Sequence, residues 1–208
     1  MSPRIYVACL ASYNNGVLHG AWMDATDADA MREEIATMLR ASPYPNVTVD
    51  CPACVGATDP VAVLLEATGL CPTCRGTGKV PSAEEYAVHD YDDFGGLAST
   101  LGEYPDLDKL AEIADMLDKH GDAYAAYVAW RGVEYATVED FEQCYQGEHD
   151  NVTRYAEQCA DDMGLLDGVP DTVKNYFDYE AFGRDMELGG DIAAIDHGHS
   201  SVFIFDNH

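Results

Sequence analysis

Basic residues are scarce in this chain: eleven Lys and Arg stand against thirty-eight Asp and Glu, leaving a formal charge of −27 over 208 residues. That sign disfavours direct binding to nucleic acid, whose phosphates would be repelled. Long hydrophobic runs are absent too. None approaches the ~20 apolar residues needed to cross a bilayer, and Met1-Ser-Pro-Arg-Ile-Tyr-Val lacks the basic-then-apolar order of a signal peptide. The expectation is a cytoplasmic protein with no membrane partner. No Gly-x-Ser-x-Gly, Walker loop, dinucleotide fingerprint or His-Glu-x-x-His occurs, so no enzyme chemistry has a specific residue pattern behind it. A metal-dependent hydrolase built on clustered acids remains an alternative, but among so many carboxylates some must lie close together by chance.

The charge is unevenly spread. Residues 1–82 hold eight acids and five bases, net −3, whereas residues 83–208 hold thirty and six, net −24. A net charge of about −2 to −8 already keeps a small domain soluble. Self-repulsion on this scale opposes compaction, which points to a strongly positive partner; solubility or adaptation to salt is the other reading of the charge. Disordered acidic tails are poor in aromatic and aliphatic residues. This chain is 47% apolar with thirteen Tyr, six Phe and two Trp, so it is acidic and folded together.

The hydrophobic pattern predicts an α+β fold. Residues 3–10 and 16–22 read as two strands joined through Ser12–Gly16, where Asn15-Gly16 permits the positive φ of a tight hairpin. Asp24–Ala41 reads as a helix with Met31, Ile35, Met38 and Leu39 on one buried stripe, stopped by Pro43 and Pro45. Asn46–Val49 and Tyr86–Tyr91 read as strands. From Asp106 the chain becomes helical: Leu107, Leu110, Ile113, Ala114 and Leu117 form a stripe ended by Gly121. A short helix carries Tyr124, Tyr127 and Val128. Another opens at Thr137 and buries Phe141 and Tyr145. A third is capped by Asn151, with Val152, Tyr155, Cys159 and Met163 inward. One or two short helices follow Pro170, and Ser201–Asp206 reads as a buried closing strand. Three regions are expected: an N-terminal α+β domain over 1–105 (a β-hairpin/helix unit) holding an insert at 50–80, an acidic helical domain (a central helical bundle) over 106–164, and a C-terminal α/β region over 165–208.

Four of the seven cysteines form two Cys-x-x-Cys pairs, Cys51/Cys54 and Cys71/Cys74, sixteen residues apart. Two residues between thiolates let both sulfurs of a turn face one ion, and two such turns make a closed tetrahedral site. The spacing is that of a zinc ribbon, and Gly56, Gly76 and Gly78 follow where tight turns need them. One structural Zn per chain is expected, with no open position for a catalytic water. The other readings are redox-active or merely buried thiols. Cys71-Pro-Thr-Cys-Arg-Gly-Thr-Gly78 resembles the zinc-binding repeats of DnaJ-type co-chaperones, although the first pair matches only in part and there are two copies instead of four. A zinc-ribbon adaptor or co-chaperone-like interaction module is therefore the runner-up function. Cys9, Cys144 and Cys159 fall on apolar faces and read as core residues. His197-x-His199 reads as a surface pair more readily than as a metal site.

Three stretches resemble the ArdA family of antirestriction proteins: Pro3–Gly16 running on to Gly20-Ala-Trp22, His89–Gly96, and Leu165–Pro170 followed by Tyr176–Leu188. The last is similar to what is called the antirestriction motif, here Tyr176, Phe177, Asp178, Tyr179, Glu180, Phe182, Arg184 and Asp185 among its residues. The resemblance spans nearly the whole chain outside residues 51–79, and the cysteine insert is a departure from shorter members. It implies an elongated, usually dimeric DNA mimic of small domains, carried on mobile genetic elements, that occupies the DNA-binding groove of type I restriction–modification enzymes at their methyltransferase core. It implies no catalysis.

The charge offers a mechanism for that role. B-DNA presents one charge per about 1.7 Å of axis, so 27 net charges correspond to about 46 Å of duplex. A folded carboxylate array would be steered into a basic cleft without the ordering cost of a floppy polyanion. The candidate acids are Asp106, Asp108, Glu112, Asp115, Asp118, Asp122, Glu139, Asp140, Glu142, Glu148, Asp150, Glu157, Asp161 and Asp162. Any one of them alone reads as a solvated side chain contributing little. The rings of the motif serve no phosphate mimic, and aromatic clusters mark cores and interfaces. That stretch is therefore expected to pack domains together or to form the contact of a homodimer.

Overall fold

A computed structural model describes residues 2–55, 71–198 and 201–207, and the chain divides into two compact units. The first comprises Met1–Phe94 with Leu101–Asp115, the second Gly95–Thr100 with Met116–His208. The architecture is α+β, with small antiparallel sheets in both units.

In the first unit, β1 (Arg4–Cys9) lies between β2 (Gly20–Asp24) and β5 (Tyr86–Asp92), antiparallel to both. Alternation places Ile5 and Val7 of β1 with Met23 and Val88 in the core. The predicted hairpin forms, but not with a tight turn. Leu10 leaves the strand and begins the helical turn α1 (Leu10–Tyr13), and the chain reverses at Gly16 with φ +77°. Helix α2 (Ala28–Arg40) buries the predicted Met31, Ile35, Met38 and Leu39. Asp27 caps it by accepting from the backbone N–H groups of Asp29 and Ala30, a device that stabilises a helix by about 1 kcal/mol.

Past α2, β3 (Val47–Asp50) pairs with β4 (Lys79–Ser82) in a two-stranded ribbon. Its end pair, Asp50 and Lys79, is closed by an ion pair at 2.6 Å. Pro81 is tolerated in β4 because a two-stranded ribbon is all edge.

Short α3 (Ala98–Leu101) precedes α4 (Leu107–His120), whose stripe Leu107, Leu110, Ile113, Ala114 and Leu117 is buried as its spacing predicts. Gly121 ends it at φ +55° and accepts the start of α5 (Asp122–Arg131). Thr137 caps α6 (Val138–Cys144) through the Asp140 N–H. Tyr145 is not part of that helix. It opens β6 (Tyr145–His149), which pairs with β8 (Ser201–Asp206), and β8 pairs in turn with β7 (Ile192–His197).

The closing strand is thus the middle of its sheet, and both its faces are covered. Phe205 stacks with Trp130 of α5 at 5.6 Å between ring centres and lies 6.3 Å from Phe141 of α6. On the other face Val202 and Ile204 join Ile192 and Tyr155, with Met186 packed alongside. A strand buried on both sides has no reason to alternate, which accounts for the continuous Val-Phe-Ile-Phe run.

Asn151 caps α7 (Val152–Asp162) as predicted, and Tyr155 is buried, but Met163 is 62% exposed beyond the helix end. After α8 (Asp171–Lys174), Asp178 caps α9 (Tyr179–Gly189) by accepting from the Ala181 N–H. Helices α7 and α9 pack on one another.

Candidate functional site

Two arrangements carry chemistry: a thiol cluster at the end of the β3–β4 ribbon, and the carboxylates borne by the helices and loops from Asp106 onward.

The ribbon brings the two Cys-x-x-Cys turns together. Cys51 accepts from the N–H groups of Cys54 and Val55, and Cys71 from that of Arg75, so each pair sits in a tight turn. The turns are tied to each other where the Cys51 N–H donates to the Gly78 carbonyl at 2.9 Å. Gly76 and Gly78 take φ +87° and +70°, and Arg75 is also left-handed at +55°. Those turns aim the Gly78 N–H at the Cys74 sulfur, 3.3 Å away. Gly56 of the first turn lies outside the described residues.

Sγ of Cys51 is 3.9 Å from that of Cys71, Sγ of Cys54 is 3.7 Å from that of Cys74, and all four sulfurs lie within 4.8 Å of one another. No disulfide joins them. A tetrahedral ion with metal–sulfur bonds of about 2.3 Å holds its sulfurs about 3.8 Å apart, so the set fits such an ion. Cys51, Cys71 and Cys74 are buried and Cys54 is half-buried. Backbone N–H groups, first that of Cys74, hold the Cys71 thiol down at about 6, while hydrogen bonding to Cys71 and Cys74 pushes Cys54 up to about 12. Four thiolates this close repel each other unless a cation is shared. Among the described residues, the ligating side chains gathered closely enough to hold a metal are these four.

The fourteen candidate acids fall into two groups. Asp106, Asp108, Asp118, Asp122, Glu139, Glu142, Glu148, Asp150, Asp161 and Asp162 are exposed, whereas Glu112, Asp115, Asp140 and Glu157 are half-buried. Several are already engaged. Arg32 pairs with Asp108 at 2.6 Å, Lys109 with Glu112 at 2.5 Å and Arg154 with Glu157 at 2.6 Å. Asp140 accepts from the Tyr127 hydroxyl at 2.7 Å and from Arg131 Nε at 3.2 Å, and Arg131 itself lies over the Trp130 ring. Asp106 accepts from the Lys109 N–H and so caps α4. The i,i+3 spacing of Lys109 with Glu112 and of Arg154 with Glu157 was a legible sign of pairing; the Arg32–Asp108 pair, 76 positions apart, was not. Asp108, Asp122, Glu139 and Asp140 occupy first turns of helices, where the helix dipole favours negative charge and offsets part of the mutual repulsion.

In the aromatic motif, Phe177 meets Tyr179 at 4.8 Å and Phe182 at 5.8 Å between ring centres, and all three are half-buried. Tyr176 is 87% exposed. Asp178 is the cap of α9, while Glu180, Arg184 and Asp185 are exposed. His197 lies 3.9 Å from Asp122 and rests on Phe203; His199 lies outside the described residues. Cys9 and Cys144 are buried and Cys159 half-buried. No helix among the described residues is long and apolar enough to cross a membrane.

Fold and surface together define an acidic α+β protein with a four-thiol set fit for a metal ion. It belongs to the ArdA family of antirestriction proteins, whose family model matches residues 5–201. No curated protein matches the chain.

Proposed function

We propose that the protein acts by binding and not by catalysis, as a DNA mimic that occupies the DNA-binding groove of a type I restriction–modification enzyme at its methyltransferase core. Family membership supplies the antirestriction role. The observation that carries the mimicry is the exposure of ten of the candidate acids on capped, well-packed helices and the loops between them. Carboxylates held on ordered backbone meet a basic cleft without first being ordered, and their field speeds encounter. The working acids are the exposed ones outside the ion pairs described above. Of the candidate acids paired with Lys or Arg only Asp108 is exposed, and its bridge to Arg32 contributes little to stability.

We infer further that the cysteine set holds one structural Zn per chain, because four thiolates with two sulfur–sulfur separations near the tetrahedral value leave no open ligand position. Zinc there would staple the end of a ribbon that buries little apolar surface of its own. Tyr176 and Leu188, 87% and 79% exposed within the motif, support a homodimer contact along this stretch. A reducing cytoplasm, where the thiols stay reduced, is the proposed location.

The test is displacement of duplex DNA from a purified type I methyltransferase core at several salt concentrations. Displacement that weakens as salt rises is expected. No displacement at any salt would overturn the mimicry. The adaptor reading, in which the zinc ribbon is the working surface, is separated by replacing the cysteines. That would abolish function in an adaptor but only loosen the ribbon in a mimic.

A further inference from the structure

The face of the β2–β1–β5 sheet turned away from its core presents rings as well as carboxylates. Residues directly opposite in an antiparallel pair point to the same side. Tyr6 stands opposite Trp22 and Asp90, and Arg4 opposite Asp24 and Asp92. The Tyr6 and Trp22 rings lie 5.6 Å apart. Tyr6 can lean across β2 because Gly20 has no side chain: a Cβ there would come within 2.8 Å of the Tyr6 hydroxyl. Trp22 remains 39% exposed, and Asp24, Asp90 and Asp92 are exposed around it.

A Trp and a Tyr at the centre with polar groups at the rim is the composition of an interface anchor, where a few such residues carry most of the binding energy. Charge selects the occupant. Three carboxylates against one guanidinium leave the patch negative, which repels nucleic acid and disfavours a second copy of this acidic chain. The indole face attracts cations, and the guanidinium carbon of Arg4 already stands 5.6 Å from the Trp22 ring centre.

We propose that this Trp22-centred face docks an arginine-bearing segment of the basic protein that the inhibitor binds. The proposal rests on the inhibitor reading above and adds a contact that charge mimicry does not require. An arginine of the partner stacks on Trp22, and Asp24, Asp90 and Asp92 accept from its N–H groups. Burial of the rings resists salt, whereas the carboxylate field is screened by it.

The experiment is the displacement assay with the full chain and two variants, Trp22→Ala and Trp22→Phe, each checked for an unchanged melting curve. Trp22→Ala is expected to weaken displacement about 30-fold, the scale of an interface hot spot, with the slope against salt unchanged. Trp22→Phe keeps a π face and is expected to stay within about threefold of the parent. If Trp22→Ala does not fold, the triple variant D24N/D90N/D92N carries the test, with a severalfold loss and a shallower salt slope expected. A parent that displaces DNA while Trp22→Ala, or the triple variant in its place, matches it would overturn this proposal alone. A parent that displaces nothing would overturn the inhibitor reading and this contact with it.

Discussion

Gly183 of α9 faces Ala156 of α7 so closely that a methyl group on the glycine would sit 3.1 Å from the alanine Cβ and 3.0 Å from Val152 Cγ1. The two helices approach closely there, and even a methyl group would require its neighbours to give way by a few tenths of an ångström. Gly183 is also buried inside the segment that resembles the antirestriction motif. Part of that motif is thus a packing requirement. Gly183→Leu should overpack the crossing and lower the unfolding free energy by about 1–3 kcal/mol, read from denaturant melts. A melt matching the parent would contradict the close approach.

The exposed and half-buried rings of the same segment should separate by role. Tyr176→Ala is expected to leave melting unchanged but shift a dimer towards monomer on dilution, as measured by sedimentation. Phe182→Ala removes the ring packed on Phe177 and should destabilise, by less than the ~3–5 kcal/mol of a fully buried phenylalanine. An unchanged dimer in Tyr176→Ala would remove this stretch from the interface.

Metal should be measurable directly. Elemental analysis of protein expressed with zinc is expected to give about one Zn per chain, and Cys71→Ser with Cys74→Ser to abolish it. A strong chelator should speed amide exchange at Val49 and Val80, beside the thiols, and leave Ile204 in the second unit protected. Protein free of metal after zinc-supplemented expression would contradict the site.

Alkaline pH should be destabilising through buried tyrosines. Burial pushes the Tyr91 hydroxyl up to about 12, and burial together with its bond to Asp140 does the same for Tyr127, against the ordinary 10.0. Unfolded tyrosine therefore loses its proton first as pH climbs. Stability from these groups is complete below pH 10 and falls as pH rises towards about 12. Denaturant melts across that window, with phenolate absorbance followed in parallel, should show the loss. Tyr127→Phe should flatten it, while giving up the Asp140 hydrogen bond at neutral pH. A stability constant through the window would contradict the burial.

The sequence was most legible where one face of a helix is buried. Met31, Ile35, Met38 and Leu39 of α2 and the Leu107–Leu117 stripe of α4 follow from spacing alone. Asn151 and Thr137 were legible as caps because their side chains compete for the first N–H groups. Strands β4, β6 and β7 were not legible, and each for a different cause. Pro81 argues against β4, Tyr-Gln-Gly-Glu-His carries no apolar alternation in β6, and Ile-Ala-Ala-Ile has no β-branched or aromatic bias beyond its isoleucines in β7. Each is held by its neighbour more than by its own residues. At the candidate site, spacing announced the four cysteines. It could not announce that Asp140 is bound by Tyr127 and Arg131, since those partners lie 13 and 9 positions away on another helix.

The division of the acids allows a direct comparison. Six exposed carboxylates outside the ion pairs described above (Asp118, Glu139, Glu142, Glu148, Asp161 and Asp162) can be changed together to their amides. The paired set of Asp108, Glu112, Asp140 and Glu157 can be changed in a second variant. Both are then titrated against duplex DNA bound to the methyltransferase core. Mimicry predicts progressive weakening and a flatter salt dependence in the first variant and a much smaller effect in the second. Full displacement by the six-amide variant at every salt concentration would contradict it.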